Sequence, residues 1–156
     1  MRVSIYAVGR LRSGPEKALI EDYIGRFDKS GRALGLGPLT IHEVEDKKNI
    51  GRLAEGKLLQ QAISKGTNIC GLDERGKMIS SIEFANHLAN LRDQGVANLG
   101  FVIGGADGLD EGLKKSFNQS FSFGKMVWPH MLVRAMLCEQ LYRAASILAG
   151  APYHRE

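Results

Sequence analysis

Two glycine-containing loops near the C-terminus hold the residues best placed to grip a small ligand. Gly104-Gly105-Ala106-Asp107-Gly108 follows the apolar run Leu99-Gly100-Phe101-Val102-Ile103. Gly124-Lys125-Met126-Val127-Trp128-Pro129-His130 follows Gln119-Ser120-Phe121-Ser122-Phe123. Each reads as a strand running into a loop. Ligands of open α/β sheets bind at the carboxyl ends of strands, so two neighbouring loops would wrap one small molecule with their backbone groups. The glycines lack the Gly-x-Gly-x-x-Gly order of a dinucleotide site. Gly124-Lys125 is no phosphate loop, because no Ser or Thr follows the lysine and Gln119 stands where the first glycine belongs. A tight turn needing positive φ is the alternative reading of 104–108.

The polar residues around these loops leave more than one role open. Ser122 and His130 flank the second loop without the strained elbow that exposes a nucleophilic serine. His130 follows Pro129 at a helix start, where a neutral imidazole either caps the helix or acts as a base. Arg134 stands among apolar neighbours, and a buried guanidinium requires a partner. That partner is either a carboxylate across a subunit interface, or an anionic substrate or a loop forming the site. The tail Pro152-Tyr153-His154-Arg155-Glu156 pairs an aromatic with proline beyond a helix stop, which suggests docking; its His-Arg pair would then approach an anionic substrate. The histidines His42, His87, His130 and His154 are scattered and Cys70 and Cys138 form no Cys-x-x-Cys, so no metal site is expected.

Alternating strands and helices would position these loops. Strands are expected over 3–9, 39–44, 69–72, 99–103 and 121–123, with a turn over 73–77 and a glycine-rich loop over 30–38. A first helix starts around Pro15 with Ala18, Leu19, Tyr23 and Phe27 facing inward. A second, ending near Lys65-Gly66, buries Ile50, Leu53, Ala54 and Leu58, leaving Glu43, Glu45, Asp46 and Lys47 solvated before it. Ser80-Ser81-Ile82-Glu83 has capping-box spacing and precedes the stripe Ile82, Ala85, Leu88 and Leu91. The final helix, 129–149, is stopped by Gly150 and sealed by Pro152. Strands alternating with helices imply a mostly parallel sheet with helices on both faces, in a single domain spanning 1–156. At about 100° per residue, Glu139, Arg143 and Ser146 share a polar face of the last helix, Glu139 and Arg143 as an ordinary surface pair. Most of its remaining circumference is apolar, which calls for cover by a second subunit or by the chain's own elements.

The 156 residues carry a net charge of +4, with no basic run long enough for a nucleic-acid arm. The balance is compatible with a polyanionic partner. No segment approaches the ~20 apolar residues of a membrane span. The opening Met1-Arg2-Val3-Ser4-Ile5 reads as a strand rather than a signal peptide. Two cysteines inside apolar elements suit unpaired thiols in a reducing cytoplasm.

Ile103-Gly104-Gly105-x-x-Gly108-Leu109, Pro129-His130-x-Leu132-Val133-Arg134, Glu139-Gln140-Leu141-Tyr142-Arg143-Ala144 and the ending Pro152-Tyr153-His154-Arg155-Glu156 occur here in order. In these motifs and in length the chain resembles the ribosomal large-subunit methyltransferase H family, small enzymes of the SPOUT class. The resemblance implies a C-terminal trefoil knot over about 100–156, S-adenosylmethionine as methyl donor, and N3 of a pseudouridine in 23S rRNA of the assembled ribosome as acceptor. It also implies a homodimer. By position, the cofactor contacts would be Leu72, Gly104, Gly105, Gly124, Lys125, Met126, Val127, Trp128 and Pro129. His154 or His130 would assist proton removal, and Arg134, Tyr153, His154 and Arg155 would orient the RNA. Where the family usually has Pro-Glu between its glycines, this chain has Ala106-Asp107. A non-catalytic RNA- or ribosome-binding protein, or a SPOUT methyltransferase acting on another RNA, are the competing expectations.

Overall fold

The central strands are apolar on alternate residues of both faces, and this decides the layering. A computed structural model of the chain describes residues 1–44 and 51–154. The elements run β1 (Arg2–Val8), α1 (Pro15–Gly31), β2 (Leu39–Val44), α2 (Arg52–Ala62), β3 (Asn68–Met78), α3 (Ser81–Asp93), β4 (Asn98–Ile103), α4 (Glu111–Lys114), β5 (Gln119–Ser122) and α5 (His130–Leu148). All pairings in the sheet are parallel, in the order β2-β1-β4-β3-β5. Val3, Ile5 and Ala7 of β1 and Leu99, Phe101 and Ile103 of β4 enter the larger core under α1, α3 and α5. Tyr6, Val8 and Val102 point the other way and meet Leu59 of α2 and Leu113 of α4. Both faces are thus covered, as a parallel sheet requires.

Local signals explain most element ends. Ser80 accepts a hydrogen bond from the Glu83 N–H at 3.2 Å, and the Glu83 carboxylate accepts from the Ser80 N–H at 2.7 Å, completing the expected capping box. Pro15 opens α1. Phe84 of α3 lies 5.8 Å from Phe101 and edge-on to Phe121 at 6.0 Å, linking the helix to β4 and β5.

Several expectations require correction. In α1 the buried residues are Ile20, Phe27 and Gly31, while Ala18 and Leu19 face outward. Leu19 and Ile20 are adjacent, so a helix cannot bury both on one stripe, and contact with α5 selects Ile20. Leu53 of α2 and Ile82 of α3 are likewise exposed, their places taken by Leu59 and Phe84. Residues 30–34 are helical: α1 continues to Gly31 and a 3₁₀ turn spans Arg32–Leu34. β3 does not stop at Leu72 but resumes pairing with β5 at Lys77, the intervening residues bulging out of register. Ser146 is buried rather than surface-facing, its hydroxyl donating to the Tyr142 carbonyl at 3.0 Å. The expectations for Glu45, Asp46, Lys47, Ile50 and Arg155 fall outside the described residues.

The apolar circumference of α5 is largely covered by the chain itself. Ala135, Leu137, Cys138, Leu141, Ala144 and Ala145 are buried between α1, α3 and the sheet. Both cysteines are free and buried. Burial pushes each thiol up to about 12, where it stays protonated.

Candidate active site

The carboxyl ends of β3, β4 and β5 open into a cleft of about 640 Å³, within the usual range for small-molecule sites. Leu72, Gly104, Gly105 and Gly124 line it, together with Met126, Val127, Trp128 and Pro129. Of the nine residues expected at a cofactor site, Lys125 alone is not in the lining. His130 and Val133 close one wall from the first turn of α5.

The first loop is a tight turn whose glycines serve different needs. Gly108 has φ +78 and donates its N–H to the Gly105 carbonyl at 3.1 Å, leaving Ala106 and Asp107 at the tip. Gly104 needs no positive φ. A Cβ there would stand 2.6 Å from the carbonyl carbon and oxygen of Gly108, so the turn closes only because the side chain is absent. At Gly105 a Cβ would meet Glu55 of α2 and Val8 of β1 at 3.0–3.2 Å. The missing Cβ thus lets the turn close on itself at Gly104 and lets the loop backbone pack against Val8 and Glu55 at Gly105.

The second loop is tied to the bulge of β3. The Ser122 hydroxyl lies 2.8 Å from the Gly124 carbonyl and 3.2 Å from the Glu74 carbonyl, and accepts from the Gly124 N–H at 3.1 Å. Ser122 is thereby a loop fastener. Beyond it, Met126 and Val127 are more than two-thirds exposed.

Sequence reasoning missed a charged pair on the opposite wall. Lys114 of α4 reaches Asp73 of the β3 bulge at 2.5 Å and Glu111 at 3.0 Å. Burial works to raise the Asp73 pKa, but Lys114 and the Arg75 N–H outweigh it and hold the carboxyl below its usual range. The Asp-Glu-Arg-Gly turn was visible in sequence, whereas its partner lies 41 residues on, where spacing carries no signal.

Arg134 is in the interior. Its side chain is 0% exposed and donates to Glu43 at 2.8 Å and to the carbonyls of Val8 and Gly9 at 3.0 and 3.2 Å. The carboxylate required by a buried guanidinium comes from β2 of the same chain, and Glu43 is not simply solvated: it also accepts from the Leu11 N–H at 2.7 Å. Burial lowers the Arg134 pKa and Glu43 opposes the shift; a guanidinium keeps its charge.

The tail docks as expected, but away from this cleft. The Tyr153 hydroxyl donates to Glu139 at 3.0 Å, its ring packs 4.6 Å from that of Tyr142, and the Arg143 guanidinium lies over it at 4.9 Å. Glu139 and Arg143 are thus a half-buried platform for the tail rather than a surface pair. The Nδ1 of His154 lies 3.3 Å from Arg143. A guanidinium only donates, so Nδ1 accepts and the ring hydrogen sits on Nε2. Arg143 lies 13 residues beyond His130, about 20 Å along the helix axis. The structure therefore brings His130 to the cleft and keeps Tyr153 and His154 of the same chain apart from it.

The chain matches the family model described as predicted SPOUT methyltransferase over residues 1–154. The ribosomal RNA large subunit methyltransferase H of Ruegeria sp. (strain TM1040) is 65% identical over 155 residues, 99% of each chain. The protein of that name from Paracoccus denitrificans (strain Pd 1222) is 60% identical over 156 residues, 100% of each. A probable methylase family protein from Haemophilus influenzae Rd KW20 shares the fold, with a TM-score of 0.54 and 12% identity over 99% of this chain and 70% of that one.

Proposed function

This chain belongs to the SPOUT methyltransferase family, and from that premise we propose that it transfers the methyl group of S-adenosylmethionine to N3 of a pseudouridine in 23S ribosomal RNA. The observation that carries this reading is the cleft at the strand ends, walled by both glycine loops. Its residues fit the donor. Gly104 and Gly105 present backbone without side chains, Met126, Val127 and Trp128 supply apolar surface, and the volume suits a nucleoside of that size. When bound, S-adenosylmethionine supplies an activated methyl group, so what remains for the protein is alignment and removal of the acceptor's N3 proton.

We assign the proton to His130, the histidine in the cleft lining, directly or through water. The tail has another task. With Nδ1 facing Arg143, His154 presents an Nε2–H donor suited to a base carbonyl, with Tyr153 and Arg155 beside it on the RNA. Because this donor lies far down α5 from its own cleft, the complete site needs the tail of a second copy. We therefore include a homodimer in the proposal, with C-terminal knotting of residues 100–156 shaping each cleft. Exposed Met126, Val127 and Trp128, with Leu19 on α1, supply apolar surface for that contact. The acceptor is taken to be the assembled ribosome in the cytoplasm, because a compact basic chain leaves much of the docking surface to its substrate.

Calorimetric titration of the purified protein with S-adenosylmethionine tests the cofactor reading. Micromolar binding is expected. A folded protein that shows no binding, alone or with ribosomes present, would overturn it.

A further inference from the structure

We propose that Arg134 is a positioning residue of the cleft, acting through Glu43 and Gly9 on the wall that carries His130, without touching any ligand. The inference rests on the cleft being the S-adenosylmethionine site. One guanidinium joins three segments that are distant in sequence: the end of β2 through Glu43, the end of β1 through the Val8 and Gly9 carbonyls, and the first turns of α5. Full burial excludes direct contact with a ligand entering that cleft.

The tie leads to the site in two short steps. Gly9 has φ +86 and faces the start of α5: a Cβ there would make ordinary contact with the His130 imidazole at 3.8 Å and with the Met131 methyl at 3.6 Å. Holding the Gly9 carbonyl therefore holds the backbone that faces His130 across this gap. His130 precedes Arg134 by one helical turn, and Val133, also of the cleft wall, is its neighbour. Glu43 adds a second constraint by accepting from Leu11, which fixes the loop after β1. Lysine would keep the charge but lose the fork that reaches carboxylate and carbonyls together.

Arg134→Lys, Glu43→Gln and the double variant test this, with S-adenosylmethionine affinity and methyl-transfer rate measured well below each melting temperature. Each single change is expected to weaken cofactor binding about tenfold and to slow transfer by up to about a hundredfold, as misplacement of a catalytic wall does. The double variant is expected to be little worse than either single, because both act through one tie. If Arg134→Lys fails to fold, Glu43→Gln, with its similar shape, carries the test alone. Lower melting temperature with wild-type affinity and rate would overturn the proposal, as would losses that add in full. Failure of the wild-type protein to bind S-adenosylmethionine would instead remove the reading of the cleft, before any variant is compared.

Discussion

Replacing Gly104 with alanine tests whether backbone closeness builds the cleft wall. The new Cβ would lie 2.6 Å from the carbonyl carbon and oxygen of Gly108 and 3.0 Å from the Leu109 nitrogen. These are main-chain atoms, with no rotamer to change. To reach ordinary contact the turn must retreat by about 0.8 Å, an overpacking that typically costs 1–3 kcal/mol. For a chain of this length that lowers the melting temperature by roughly 2–12 °C. A wall displaced by most of an ångström should also weaken S-adenosylmethionine binding about tenfold, or ~1.4 kcal/mol. Gly108→Ala meets nothing within 4 Å but must adopt φ +78, a strain of about 1–2 kcal/mol. At Gly105 the added methyl meets the Val8 methyl and the end of the flexible Glu55 side chain at 3.0–3.2 Å, so alanine there is expected to be mildest. Thermal melts and calorimetry of the three variants give the ranking. Gly104→Ala with wild-type melting temperature and affinity would refute the argument.

Other expected outcomes follow from the charges, caps and thiols. Asp73→Asn should destabilise the protein by about 1–3 kcal/mol at neutral pH through loss of a charge-assisted bond. The folded pKa of Asp73 lies below the ordinary value, so its contribution is complete above about pH 4 and lost as pH falls through the folded pKa. Melts of both proteins across acid pH should therefore converge, and a constant gap would contradict the assignment. Ser80→Ala removes the capping box of α3 and should cost about 1 kcal/mol by denaturant unfolding; no change would show that the cap contributes nothing. Cys70 and Cys138, held protonated by burial, should resist a thiol reagent in the native protein at about pH 8 and both react on unfolding. Rapid labelling of the native protein would show that the core around them opens.

Features encoded by neighbours in sequence were legible, and those depending on distant segments were not. The range expected for β2 matches Leu39–Val44, and α5 differs by one residue at each end. The capping box formed because Ser80 and Glu83 carry its chemistry three positions apart. The glycine loops also reached one cleft, since strand-then-loop patterns place them at the same sheet edge. The helix phases of α1 and α2 were misread because Leu19 and Leu53 have apolar neighbours, so composition alone admits two stripes. The Arg134–Glu43 pair spans 91 residues and the Lys114–Asp73 pair 41. Sequence showed that Arg134 needed a partner, but only the pairing of β1 with β2 and the path of α5 determine which. Tyr153 was correctly expected to dock, yet its platform on Glu139 and Arg143 was read as exposed, because a tail that folds back leaves no periodic signal.

The most direct test of the proposed activity is methyl transfer itself. Purified protein would be incubated with labelled S-adenosylmethionine and ribosomes lacking the modification, and the 23S rRNA digested and analysed by mass spectrometry. One labelled methyl on N3 of a pseudouridine, absent from reactions without the protein, is the predicted result. Cofactor binding without label in that rRNA, or label on a different nucleotide, would contradict the assigned reaction.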